Sequence, residues 1–312
     1  MNDKAKIVLT GGAGLVGQNL ICLLKQNGYS RIVSIDKHAA NNDITRKLHP
    51  EITVLDADLA EPGDWEEQIA GASALVMLQA QIGGLVYSEF VHNTLKSSER
   101  VLAAAKRHNL PYLVHISSSV VNSRADDFYS RSKREQEAMV VNSGIPCVIL
   151  RPTLMFGWFD RKHLGWLARF MARAPVFPIP GDGRYVRQAL FELDFCAVIL
   201  ACLEGKTEGA YNISGLERVH YIDLIRQLKE ATDAKTPIVK IPYSLFWLIL
   251  KSYALFDRHP PFTTQQLAAL VIPEEFEMID WPKIFGVRMT PLREALMRTF
   301  HEKPYCDIAL EF

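Results

Sequence analysis

The chain has 312 residues, 48% of them hydrophobic and 22% charged, which suits a soluble globular protein. That length accommodates two core-forming units, or one large α/β domain with an appended lobe. Lys plus Arg number 35 and Asp plus Glu number 35, so the formal net charge is zero and the basic field that nucleic-acid binding requires is missing.

The N-terminus passes almost directly into a buried parallel strand at residues 6–10, KIVLT, with no room expected for a signal peptide. Residues 10–17, TGGAGLVG, follow at once, with Gly11, Gly14 and Gly17 in a GxxGxxG pattern. A helix from Gln18 to Gln26 is expected after them, closed by Gly28. Glycines here let backbone amides approach a pyrophosphate, and the helix N-terminus adds orphan N–H donors and partial positive charge. A second apolar run, Arg31 to Ile35, ends in Asp36, 22 residues after Gly14. A carboxylate there can accept both hydroxyls of an adenosine ribose and would repel a 2′-phosphate, which favours NAD. Lys37 beside it keeps NADP in view as the second cofactor.

Further apolar runs at 52–55, 74–78, 112–116 and 146–150 alternate with helical patterns such as 97–107 and 133–141. Alternation of this kind predicts a Rossmann-type doubly wound parallel sheet. Asp58, in LDADL, can hold an adenine amino group. The segment HISSSVVNS ends one strand, and YSRSK opens the next helix, with Tyr129 and Lys133 one turn apart on one face. Serine hydroxyls at the carboxyl end of a parallel strand face the ligand crevice.

Beyond Arg151-Pro152 the alternation weakens. Pro175, Pro178, Pro180 and the turn Gly181-Asp182-Gly183 predict a looping region. A helix near 194–202 and a strand at 211–213 predict a return to the sheet. The expected division is a NAD-binding domain over 1–152 with a return at about 188–216, and a smaller, mostly helical lobe from 153–187 and 217–312. Its helices are expected near 222–232, 243–256 and 264–271. The apolar stretch 241–256, IPYSLFWLILKSYALF, is too short to span a bilayer and is interrupted by Lys251. It reads first as a buried or oligomer-facing helix, and second as a membrane-leaning or lipid-admitting one. Five scattered cysteines (Cys22, Cys147, Cys196, Cys202, Cys306) without a CxxC read as reduced thiols of a cytoplasmic protein, and no metal site is expected.

Together these motifs resemble the extended short-chain dehydrogenase/reductase superfamily, and within it the NAD-dependent epimerase/dehydratase family. The resemblance runs from TGGAGLVG through DADL, ALVMLQA, HISSSVV and YSRSK with Glu137, then LRPTLMFG, GDG, Arg187, Asp194, YNISG and IDWPKIFGVRMTPLREAL. It implies that Tyr129 is the acid/base, and that Lys133 holds the nicotinamide ribose and lowers the phenol's pKa. Ser118, with Ser119 as fallback, would bind the reacting oxygen. It further implies cofactor contacts from Gly11, Gly14, Leu15, Val16, Gly17, Asp36, Lys37, Asp58, Leu59, Leu78, Ala80, Ser117 and Pro152, besides Tyr129 and Lys133. Substrate contacts would come from Ser118, Thr153 and Arg187, the last binding a substrate diphosphate.

Departures from the family narrow the chemistry. Ser119 and Val120 stand where sugar-nucleotide 4,6-dehydratases resemble one another in carrying Asp-Glu, and Val120 where related decarboxylases place Glu, so both reactions are disfavoured. Gln79 replaces a small residue and Gln188 the usual Asp. The leading expectation is a NAD-dependent epimerase (an isomerase) or ketoreductase acting on a nucleotide sugar, with a homodimer as the expected assembly. The short loop after Ala80 and the apolar helix also resemble 3β-hydroxysteroid dehydrogenase-like and dihydroflavonol reductase-like enzymes of apolar alcohols. A third expectation, from the resemblance of PPFTTQQLAAL to relatives of the complex I NAD(P)H-binding subunit, is a cofactor-binding structural protein.

Overall fold

The computed structural model describes residues 5–123, 126–253, 264–271 and 277–311. Six strands arrive in the first half of the chain: β1 (Ile7–Thr10), β2 (Ile32–Asp36), β3 (Thr53–Asp56), β4 (Ala74–Met77), β5 (Leu113–Ile116) and β6 (Cys147–Pro152). Between them run α1 (Leu15–Gln26), α2 (Ala39–Leu48), the short α3 (Tyr87–Phe90), α4 (Ser97–Arg107) and α5 (Phe128–Asn142), with one π turn at Val91–Lys96 leading into α4. The second half contributes the strands β7 (Met155–Phe156), β8 (Phe177–Pro180), β9 (Val186–Arg187), β10 (Leu190–Phe191), β11 (Gly209–Ile213), β12 (Val219–His220) and β13 (Ile238–Ile241). Its helices are α6 (Leu164–Arg173), α7 (Glu192–Gly205), α8 (Tyr221–Ala231), α9 (Tyr243–Tyr253), α10 (Thr264–Val271), α11 (Trp281–Phe285) and α12 (Leu292–His301).

Seven strands form one parallel sheet in the order β11-β6-β5-β4-β1-β2-β3. β1, β4 and β5 are buried at every position, as expected of strands covered on both faces by helices. The chain winds outward from β1 to β3, then returns to β4 on the other side. That reversal opens a crevice at the carboxyl ends of β1 and β4, where ligands of such sheets bind. One core lies between the sheet and α1 and α7, the other between the sheet and α4 and α5. A third core joins α6, α8 and α12 with β8 and the segment 156–159, and it meets α1 through Cys22.

Two local outcomes differ from the expectations. Helix α1 begins at Leu15, three residues earlier than expected, because Gly14 in extended conformation serves as its N-cap. Residues 177–180, FPIP, form a strand rather than a loop, paired parallel with β13. The N–H groups of Phe177 and Gly181 reach the carbonyls of Pro237 and Ile241, both at 2.8 Å. Pro178 and Pro180 fall at the alternate positions facing away from β13, where a missing donor costs nothing. The last part of the expected helix 243–256, residues 254–256, and the start of PPFTTQQLAAL, residues 260–263, lie outside the described residues. All five cysteines are free, and among the described residues no group of His, Cys, Asp and Glu could hold a metal and no helix is long and apolar enough to cross a membrane.

The closing segment IDWPKIFG shows how sequence fixes its own fold. Asp280 caps α11 by accepting from Lys283 N–H at 3.3 Å, Pro282 tolerates the first turn, and Gly286 ends the helix left-handed at φ +65°. This places Trp281, fully buried, against the α7 side of the sheet, with its indole N–H donating to Ser214 O at 2.9 Å. Trp281→Ala removes the largest side chain joining this segment to the sheet. It should lower unfolding free energy by about 3–5 kcal/mol in urea titrations, whereas a loss under about 1 kcal/mol would show the contact to be incidental.

Candidate active site

The turn between β1 and α1 is shaped by two close approaches. Gly11 has φ +74°, and a Cβ there would lie 2.6 Å from Gln79 N. Gly17 crosses so near the preceding turn that a Cβ would lie 2.2 Å from Gly12 O. The N-terminus of α1 has no side-chain cap, and Gly14 at that end lines the groove described below, which leaves this end of the helix open to an anion.

Asp36, at the end of β2, secures this turn from the other side. Its Oδ2 accepts from Ala13 N–H at 3.1 Å and its Oδ1 from His38 N–H at 3.0 Å. Burial raises its pKa, and those two amides act against the rise. Asp58 accepts from Ala60 N–H at 3.0 Å, contacts His92 Nε2 at 3.0 Å and lies 3.4 Å from Lys37 Nζ. Burial opposes ionisation of Asp58, but the Ala60 amide, His92 and Lys37 together hold its pKa below the ordinary value. Lys37 also donates to Asn93 Oδ1 at 2.6 Å. A groove of about 530 Å³ runs past Gly11, Gly14, Asp36, Asp58, Leu59 and Ala80, with Lys37, Leu78 and Gln79 also on its wall. Its size, the open helix terminus at one point and the two carboxylates at another match the parts of a dinucleotide. Leu15 and Val16 lie in the first turn of α1, half-buried, and both pack against the cores.

The serines stand at the end of β5, on the same sheet edge as the glycine turn. Ser117, Ser118 and Ser119 are all buried, and Ser118 caps the short 3₁₀ turn Ser119–Asn122. Helix α5 starts at Phe128, capped by Asp127, whose Oδ1 accepts from Ser130 N–H at 2.7 Å. The cap starts the helix one residue before Tyr129, whose buried phenol is influenced by the Ser118 hydroxyl. Burial pushes the phenol's pKa upward, the Ser118 hydroxyl draws it down, and the Asp127 carboxylate adds to the rise.

Lys133 stands on α5 one turn after Tyr129, and its Nζ donates to Ile116 O at 2.9 Å and to Gln136 Oε1 at 2.6 Å. Lys133 is 1% exposed, and burial lowers its pKa to about 7 against a partial rise from Glu137. Glu137 itself forms a two-point ion pair with Arg151, at 2.9 and 2.7 Å. Gln136, which the sequence reading missed, donates to Gln79 O at 3.1 Å and Ser98 Oγ at 2.7 Å, so it ties Lys133 to the end of β4. Its signal was its place three residues after Lys133, on the same helix face. Gln79 fits in place of a small residue by accepting from Thr10 Oγ1 at 2.7 Å.

Thr153 and Arg187, the other residues expected to meet substrate, lie beyond β6. Pro152 ends β6, and Thr153 beside it is buried and donates to Gln188 O at 3.1 Å. Arg187 is 6% exposed, and its guanidinium donates to Val186 O at 2.8 Å and to Leu270 O. It stacks at 5.1 Å on Tyr185, which stacks at 5.2 Å on Tyr221. Tyr221 lines a cavity of about 220 Å³ whose other walls come from Trp166 and Phe170 of α6, Phe177 of β8, Phe246 and Leu250 of α9, and Leu270 of α10. None of the described residues that line this cavity is charged.

The family description "NAD dependent epimerase/dehydratase family" matches residues 7–214. A ceramide reductase of Caulobacter vibrioides is 25% identical, aligned over 89% of this chain and 86% of its own. A 2-alkyl-3-oxoalkanoate reductase of Stenotrophomonas maltophilia is 26% identical, over 94% and 98% respectively. Among solved structures, the Bacillus cereus UDP-glucuronic acid 4-epimerase in complex with NAD has 21% identity and a TM-score of 0.71, covering 95% of this chain and 97% of that one. The likeness to that epimerase is one of fold.

The low pKa of Lys133 makes a measurable claim about stability without cofactor. Its unfolded value lies near the usual 10.5 and its folded value at about 7, so between those values the unfolded state binds more protons. Below pH 7 both states are protonated and the buried charge is fully unfavourable; as pH rises from about 7 toward 10.5 that disadvantage disappears. Lys133→Met should therefore stabilise the protein most at pH 6 and progressively less up to pH 10. A wild-type minus variant difference that is flat with pH would contradict the buried, readily neutralised amine.

Proposed function

The chain belongs to the NAD-dependent epimerase/dehydratase family, and we propose that within it the protein moves hydride between NAD(H) and the carbinol or carbonyl carbon of an apolar alcohol or ketone. The observation that carries this reading is the uncharged cavity between α6, β8 and α9, together with the commitment of Arg187 to backbone carbonyls. The two curated relatives named for ceramide and for a 2-alkyl-3-oxoalkanoate support an apolar substrate. Asp36 supports NAD over NADP, since its carboxylate would meet the ribose hydroxyls and repel a 2′-phosphate.

When bound, the nicotinamide supplies or takes up the hydride. The chain's own residues hold the partners and move one proton. The glycine turn and the N-terminus of α1 receive the pyrophosphate, and Asp58 faces the adenine end. Ser118 and Tyr129 converge on the substrate oxygen: in reduction, Tyr129 Oη gives its proton to the developing alkoxide while Ser118 Oγ donates a hydrogen bond to it. A phenol held high by burial stays protonated at neutral pH, so the proton it gives is in place. Lys133 would hold the nicotinamide ribose when the cofactor is bound, and its amine, lowered by burial to about 7, can take up and release a proton near neutral pH. Ser119 and Val120 offer no carboxylate, which keeps elimination of water or loss of CO₂ out of this reading.

The second reading is the epimerisation or keto-reduction of a nucleotide sugar. It is favoured by Arg187 standing after the Gly181–Gly183 turn, and it requires the guanidinium to leave the carbonyls of Val186 and Leu270 for a diphosphate. A homodimer and a cytoplasmic location accompany either reading as expectations. A non-catalytic, cofactor-binding role is the remaining alternative.

Chain length separates these readings. For a homologous series of alkyl ketones, kcat/KM should rise about four-fold for each added methylene until the cavity is filled, at about 0.8 kcal/mol per buried CH₂. Tyr129→Phe should remove turnover across the series while leaving NAD affinity within about two-fold. A flat series with turnover of UDP-sugars would select the second reading, and NAD binding with no turnover of either would select the third.

A further inference from the structure

Helix α9 turns only a narrow stripe inward. Phe246 is buried at 9% exposure, yet Leu245, Leu248 and Ile249 are 49, 54 and 47% exposed, with Tyr243 and Trp247 at 39 and 36%. Five large apolar or aromatic side chains thus stand in solvent within seven consecutive residues, and a contiguous patch of that kind marks an interaction surface.

Charge and composition identify what it meets. The segment Ile238–Tyr253 contains Lys240 and Lys251, both exposed, and no Asp or Glu. Lys251 Nζ lies 4.6 Å above the Trp247 ring. A second copy related by a two-fold axis would bring this same patch against itself, setting lysines against lysines with no carboxylate from Ile238–Tyr253 to neutralise them. An anionic surface pairs with both. An aliphatic centre flanked by Tyr, Trp and Lys is also the arrangement that settles at the boundary between headgroups and acyl chains. Among the described residues no helix is long and apolar enough to cross a bilayer, so the described turns of α9 would lie in the plane of the interface.

We propose that α9 docks the protein on an anionic lipid bilayer, with Leu245, Leu248 and Ile249 in the acyl boundary and Lys240 and Lys251 at the headgroups. Ile249 is at once exposed and part of the wall of the apolar cavity. The docked face therefore adjoins that cavity, and an amphiphile can pass between the two without crossing water. The docking itself stands whether or not the apolar-substrate reading holds.

The test is co-sedimentation of the full chain with vesicles of phosphatidylcholine alone and of equimolar phosphatidylcholine and phosphatidylglycerol. Wild type should pellet with the anionic vesicles and much less with the neutral ones. The double variant Leu245→Ser, Leu248→Ser should bind at least about ten-fold more weakly. Lys240→Gln and Lys251→Gln should each cost about five-fold on anionic vesicles and little on neutral ones. None of these residues belongs to the catalytic or cofactor machinery, so unchanged thermal midpoints confirm that the variants fold. Wild type remaining in the supernatant with both vesicles would overturn the proposal, as would a double variant that pellets like wild type. Sedimentation equilibrium covers the other occupant: a dimer that the double variant splits, with no vesicle binding, would make this face a self-association surface instead.

Discussion

The close passage of Gly17 over Gly12 O fixes the site more than any single side chain does. It lets α1 start at Leu15, directly beyond the carboxyl end of β1. Asp36 reinforces the same turn from β2 through the Ala13 amide, so one carboxylate both braces the loop and lines the groove. Because the strands are parallel, the ends of β1, β4 and β5 share one edge. The serines after β5 and the glycine turn after β1 therefore flank the end of β4 on the same sheet edge.

Lys133 shows a second constraint. A fully buried ammonium is costly unless its donors are satisfied. Here the Ile116 carbonyl and Gln136 satisfy it, and Gln136 in turn is anchored to Gln79 and Ser98. The amine is thus held in place by Ile116 O and Gln136, with burial lowering its pKa to about 7.

Much of the sheet was legible because buried parallel strands read as short apolar runs between helical patterns, and β1, β4 and β5 are such runs. The glycine turn, Asp36 and the Tyr129–Lys133 pair were legible because their spacing is local. What escaped depends on distant pairing. FPIP reads as a loop until β13, some 60 residues later, lies beside it and its prolines fall on the free side. Gln136 looks like any helix glutamine until the crossing of α5 over β4 brings Gln79 O within reach. Arg187 reads as an anion binder by position, yet the chain folds its guanidinium onto the carbonyls of Val186 and Leu270, which no spacing in the sequence could disclose.

The account combines a dinucleotide groove, a Ser118–Tyr129 proton path and an apolar cavity, and its central claim is hydride transfer to a carbonyl carbon. The most direct measurement is incubation with an apolar ketone and NADH carrying deuterium at the transferable position of the nicotinamide, followed by mass spectrometry of the alcohol. The account predicts one deuterium on the new carbinol carbon and none from labelled solvent at that carbon. An alcohol without the label, or no alcohol formed from any ketone while NADH is bound, would contradict it.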